Sequence, residues 1–210
     1  MYGNPDGTTF DEVHTNTTSS TIKTAVDNWY KANIADKGYS SYISNAVGFC
    51  GDRSLPAGVW GTNDNGDGVN NTPRTSYFGA YVRYVKNVAQ FTCPEPSRDL
   101  YTTTDSSIGN KVLTYPVGLI TYDELVFAGM DNRHINKLSW AYSTQHYWTM
   151  SPSHFDAANG RAYGWYLYGA GSLTLTWVTN GLGARPVINL KSDTLITGGI
   201  GTGSDPFVVG

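Results

Sequence analysis

Apolar positions follow two rhythms along this chain, helical near the front and alternating towards the back. Ile22, Ala25, Val26, Trp29 and Tyr30 recur at i, i+3, i+4, i+7 and i+8, one face of a helix over Ser20 to about Asn33. Ser20 is a suitable N-cap and Gly38 lies beyond the end. Before it, residues 8–18 are Thr-rich and suit an edge strand or extended lead-in. Residues 51–76 carry too many Gly, Pro and Asn for a long regular element. Ser76 to Val88 predicts a strand with Tyr77, Tyr81, Tyr84 and Val85 for packing, and Lys111 to Tyr115 a short one. Thr121-Tyr122-Asp123-Glu124 matches a capping box, so a short helix is expected over about 121–128, with Gly129 as its left-handed stop.

From Trp140 onward the rhythm has period two. Tyr147 to Met150 predicts a strand ending at Ser151-Pro152; Ala162 to Tyr168 and Leu173 to Val178 predict two more. Arg185 to Leu190 has the look of a buried strand, Gly198 to Gly203 of a turn, and Pro206 to Val209 of a last edge strand. Helices first and antiparallel strands afterwards give an α+β domain over residues 1–210, with no stretch that looks like a linker.

Composition changes the picture in three ways. Charged residues are only 15%, against about 25% for an ordinary soluble domain, so packing and hydrogen bonds must carry stability. A net charge of −3, with Lys and Arg scattered, argues against a nucleic-acid partner. No apolar run approaches the ~18 residues that would cross a bilayer. Met1-Tyr2-Gly3-Asn4-Pro5 lacks a signal pattern, yet low charge and an even cysteine count suit an oxidising, extracellular or cell-surface setting, with an export signal outside these residues. Cys50 and Cys93 read as a disulfide closing a loop of about 44 residues, worth ~4 kcal/mol in the chain-entropy model; the alternative is two unrelated buried thiols. Neither belongs to a zinc pattern.

Motifs for chemistry are weak. Asn63-Asp64-Asn65-Gly66-Asp67-Gly68 begins like a calcium loop, but its twelfth position is Arg74 and no helices flank it, so no metal is expected. Asp123 and Glu124 are neighbours about 100° apart on a helix and cannot converge on one atom; cap and dipole roles explain them. No phosphate loop or dinucleotide fingerprint occurs, and no cofactor is expected. Of His14, His134, His146 and His154, the last two flank Ser151 and Ser153, and Asp156 follows. A hydrolase built on Asp156 with His146 or His154 is therefore one alternative, although no nucleophile elbow is present.

What rises above background is aromatic. Trp140, Tyr142, Tyr147, Trp148, Phe155, Tyr163, Trp165, Tyr166, Tyr168 and Trp177 crowd the back third among Ser, Thr, Gly and Asn. That mixture resembles a paratope, and ring faces also stack on sugars. In residues 162–168, Tyr163, Trp165 and Leu167 share one face, and Gly164, Tyr166 and Tyr168 the other. Both faces cannot be core in a half-exposed strand, so some rings should reach solvent. The expected contact surface is Tyr142, His146, His154, Tyr163, Trp165, Tyr166, Tyr168 and Trp177, with Arg161 as a polar anchor; the expected ligand is a protein or glycan. Arg185 is expected to pair with a carboxylate such as Asp123. A structural role, as in an adhesin or pilus stalk, is the other alternative.

Several strings carry a family likeness: Tyr147-Trp148-Thr149-Met150-Ser151-Pro152-Ser153, Gly183-Ala184-Arg185-Pro186-Val187-Ile188-Asn189-Leu190-Lys191, Phe49-Cys50-Gly51-Asp52-Arg53-Ser54 and Tyr115-Pro116-Val117-Gly118-Leu119-Ile120-Thr121. With the tail Gly199 to Phe207, they resemble a domain of uncharacterised activity in surface and secreted proteins of Gram-positive bacteria. That domain is similar to the C-type-lectin-like group, which includes formylglycine-generating sulfatase-modifying factors. The resemblance implies two helices, antiparallel sheets and long loops carrying a non-catalytic binding surface. It does not imply oxidase chemistry, because Cys50 and Cys93 are far apart, nor calcium-dependent sugar binding, because the lectin Pro-centred and Trp-Asn-Asp triplets are missing. Retroelement-diversified proteins have a similar layout, which would place variable positions within residues 140–180.

Overall fold

The computed structural model describes Glu12 and residues 19–55, 75–104, 113–156, 158–202 and 204–210. The Thr-rich lead-in apart from Glu12, His14, the Asn63–Arg74 loop, and Lys111 with Val112 lie outside the described residues.

Ser20 caps the first helix, Thr21–Tyr30, its side chain accepting from the Lys23 amide at 3.3 Å. Val26 and Tyr30 are buried, with Ile22 and Trp29 packed beside them. The helix widens into a π turn, Lys31–Ala35, and the chain reverses at Gly38 (φ 79°), a left-handed conformation that costs glycine little. The second expected helix is also present. Tyr122–Phe127 starts at Thr121 with both halves of the capping box formed, and Gly129 follows at φ 80°.

Ser76 to Val88 departs from expectation. Only Thr75–Tyr77 is a strand, β2; Gly79–Lys86 is a helix. The spacing of Tyr77, Tyr81, Tyr84 and Val85 is helical, and the Tyr81 and Tyr84 rings lie over Trp165. Gly79 permits the tight start, since a Cβ there would sit 2.5 Å from Ser54 Oγ.

Three long strands form the centre: β4, Tyr147–Asp156; β5, Arg161–Tyr168; β6, Ser172–Trp177. With β2 they make a four-stranded antiparallel sheet in the order β2-β4-β5-β6. β4 runs through Ser151-Pro152 instead of stopping there, because register shifts on both sides of Pro152 absorb its missing N–H. One face of the sheet carries Tyr147, Trp165, Leu167 and Leu173 into a core with Ala80, Tyr122 and Leu125. Met150, on the other face, packs into a second core with Val26, Tyr30, Phe49 and Tyr101. The chain is therefore α+β, with helices on both sides of an antiparallel sheet.

Two small pairs complete it. Phe49–Cys50 (β1) pairs with Leu100–Tyr101 (β3), and Ile196–Gly198 (β7) with Val208–Val209 (β8). The expected strand at 185–190 is reduced to isolated bridges, Gly118 to Val187 and Ile43 to Leu190, because Pro186 lacks a donor for a continuous ladder. Leu113–Tyr115 forms no strand; the Leu113 amide donates to Thr102 O and the chain then bends into Pro116. Cys50 and Cys93 are joined in a disulfide with Cα atoms 5.6 Å apart. No described helix is long and apolar enough to cross a membrane.

Candidate functional site: a row of rings across the central sheet

Antiparallel registry turns scattered aromatics into a line. Tyr77 lies opposite His154, His154 opposite Tyr163, and Tyr163 opposite Trp177, so one residue from each strand stands in a row. Three strand spacings make it ~14 Å long. His154 and Tyr163 stack face to face, with centroids 4.1 Å apart and planes 16° apart. Tyr77 does the same with Tyr81 of the neighbouring helix at 4.1 Å. Trp177 meets Tyr163 edge-on at 83°. The Arg161 guanidinium lies over the Trp177 ring, 3.7 Å from its centroid.

Exposure grows along the two strands that carry this face. Successive β5/β6 pairs are Leu167 with Leu173, Trp165 with Leu175, and Tyr163 with Trp177. Leu167, Leu173 and Trp165 are buried, Tyr163 is half-buried and Trp177 is 37% exposed. The Gly79–Lys86 and Tyr122–Phe127 helices cover the first two pairs, and the third emerges at their margin.

The expected contact residues therefore divide. His154, Tyr163, Trp177 and Arg161 come together. Trp165 does not join them: at 0% exposure it is enclosed by Tyr81, Tyr84 and Tyr122, and it is corrected to a core residue. Tyr142 is half-buried and packed against the same core. His146, Tyr166 and Tyr168 form a separate group on the opposite face, with His146 centred 4.7 Å from Tyr168 and 5.9 Å from Tyr166. Tyr168 is 42% exposed, and the Gly169 amide donates to His146 Nδ1. Tyr77 was absent from the expected site; its signal was its place in a strand that pairs with the one holding His154.

That opposite face also holds a cleft of about 610 Å³, walled by Ile22, Ala25, Trp148, Met150, Gly164 and Val178 among others. Gly164 makes room for the indole, since a Cβ there would meet Trp148 at 3.2 Å.

Electrostatically the row is quiet. Burial pushes the His154 imidazole down to about 4, so it is neutral at physiological pH. Its Nδ1 lies 3.0 Å from Ser153 Oγ. Asp156, the carboxylate of the hydrolase alternative, instead accepts from the Ala158 and Asn159 amides and the Asn159 side chain. The sheet separates His146 from His154. Among the described residues no three His, Cys, Asp or Glu side chains gather as metal ligands.

Buried charge lies elsewhere. Arg83 bridges Asp123 and Asp52, with Nε 2.8 Å from Asp123 Oδ1. Arg53 grips Asp99 through its Nε at 2.8 Å, its Nη2 and its own backbone amide. Burial pushes Asp52 up to about 6 against the pull of Arg83. The expected Arg185–Asp123 pair is thus corrected. Arg83 takes Asp123, and Arg185 donates to Ala141 O at 2.8 Å and lies over the Tyr147 ring.

The chain matches no protein-family model, no curated protein and no solved structure.

Proposed function

We propose that this chain is an extracellular binding domain of C-type-lectin-like architecture that recognises a protein partner through the Tyr77–His154–Tyr163–Trp177 row and Arg161. The observation that carries the proposal is the row itself: four aromatic groups in register, emerging at the margin of a well-packed core. An interior would bury such rings completely, and a plain solvent face would not assemble them. Rigid rings with two side-chain torsions lose little entropy on binding, which is why Tyr and Trp dominate recognition surfaces. A protein partner fits better than a glycan because one face of each ring in the row is already used. His154 faces Tyr163, Tyr77 faces Tyr81 and Arg161 covers Trp177, so edges and hydroxyls are presented where a sugar would need an open face. The disulfide supports an oxidising location.

An array of immobilised extracellular proteins and glycans, probed with the wild type and with a Tyr163→Ala, Trp177→Ala double variant, tests this. The expected result is protein spots that retain wild type and lose at least tenfold signal with the variant. Equal signals for both proteins, or retention on glycans alone, would sink the proposal.

A further inference from the structure

The structure assigns to this row, on the reading just given, a preference for an acidic partner: we infer that the Arg161–Trp177 end receives a carboxylate from an acidic peptide segment. Most described arginines already have acceptors. Arg53, Arg83 and Arg98 each bond a carboxylate, and Arg185 donates to main-chain carbonyls. The Arg161 side chain makes no hydrogen bond or ion pair with any described residue, although it is held in place by stacking on Trp177. The Arg133 guanidinium shares that lack, its backbone amide alone donating to Asp131, and no described ring lies beneath it. Asp156, opposite Arg161 in the register, spends its carboxylate on Ala158 and Asn159.

Stacking leaves a guanidinium's hydrogen-bonding edge open while fixing its plane. Less freedom is then lost when the fork closes on a carboxylate. The neighbouring groups point to the same chemistry. The Trp177 indole N–H and the Tyr163 hydroxyl have no hydrogen-bond partner among the described residues. Beside them the neutral His154 adds no charge. The end of the row thus offers one cation and two further donors, a set that complements an anionic, acceptor-rich group. With one face of Tyr163 taken by His154 and one face of Trp177 by Arg161, the end of the row favours a peptide carboxylate over the acid of a stacked sugar.

The full chain, ¹⁵N-labelled, is titrated with hexaglutamate, hexaglutamine or an oligogalacturonate, while the Trp177 indole and Arg161 Nε–H resonances are followed. Hexaglutamate is expected to move both signals and hexaglutamine neither. Arg161→Gln should weaken hexaglutamate at least tenfold, and Arg161→Lys should recover only part of the loss. Equal shifts with hexaglutamate and hexaglutamine, both lost in Tyr163→Ala, would overturn the acidic preference and leave the row as a binding surface. Shifts with the oligogalacturonate alone, or with no probe at all, would overturn the inference outright, as would wild-type binding by Arg161→Gln.

Discussion

The ring-bearing face of the sheet and the charged knot around Arg83 treat burial in opposite ways. Around Arg83 and Arg53, three aspartates are removed from water almost completely: Asp52, Asp99 and Asp123 are 2%, 0% and 4% exposed. They tie the Cys50 loop, the Gly79–Lys86 helix and the Tyr122–Phe127 helix together. The ring face has no ion pair among its described residues, and it leaves large apolar groups half in water. A buried charge must be partnered, so the knot is strict about its members and serves structure. A half-exposed ring is under no such demand, and its cost in exposed apolar area is offset only when something covers it. The contrast teaches that in this chain a buried polar knot ties the framework together, while the aromatic layer that fills the cores runs on past their edge and into solvent at Tyr163 and Trp177.

Two tryptophans on the same face give the sharpest test of that contrast. Trp165→Ala empties a space closed on all sides and should cost ~3–5 kcal/mol, read as a lowered midpoint in urea. Trp177→Ala removes a ring at the margin and should cost under ~1 kcal/mol, mainly the loss of its contact with Arg161. Equal losses would break the division between core and rim. On the other side, Arg83→Met strands Asp52 and Asp123 without a counter-charge. It should cost ~3–5 kcal/mol at neutral pH, by the same measurement, and leave the ring row's binding unchanged once folded.

A smaller effect distinguishes the regions by pH. Asp52 titrates near 6 in the fold and near 3.8 without it, so its contribution is fully present below 3.8 and is lost as pH rises through 6. His154 titrates near 4 in the fold and near 6.5 without it, so its contribution is present above 6.5 and is lost as pH falls towards 4. The two slopes oppose each other between pH 4 and 6. Relative to wild type, Asp52→Asn should therefore lose stability more steeply on acidification, and His154→Phe less steeply. Urea unfolding at pH 4.5, 5.5 and 7 checks both; parallel curves for all three proteins would contradict the assignment.

Local signals were legible in the sequence. The caps at Ser20 and Thr121 mark the Thr21–Tyr30 and Tyr122–Phe127 helices, because capping is settled within four residues, whereas the Gly79–Lys86 helix has no side-chain cap to announce it. Alternation identified β5 and β6 nearly to the residue. The failures were non-local. Trp165 and Tyr163 share a face in the sequence pattern, and only the position of two distant helices decides that one is enclosed and the other emerges. Arg83 was read within a strand, and its partners Asp52 and Asp123 lie far away in the chain, so no spacing rule could join them. Pro152 suggested an end to β4 where a pair of register shifts lets the strand continue.

Photo-CIDNP NMR, which polarises only solvent-accessible Trp, Tyr and His side chains, tests the central claim most directly. The account predicts clear signals from Trp177 and Tyr163 and silence from Trp165. A silent Trp177, or a polarised Trp165, would contradict it.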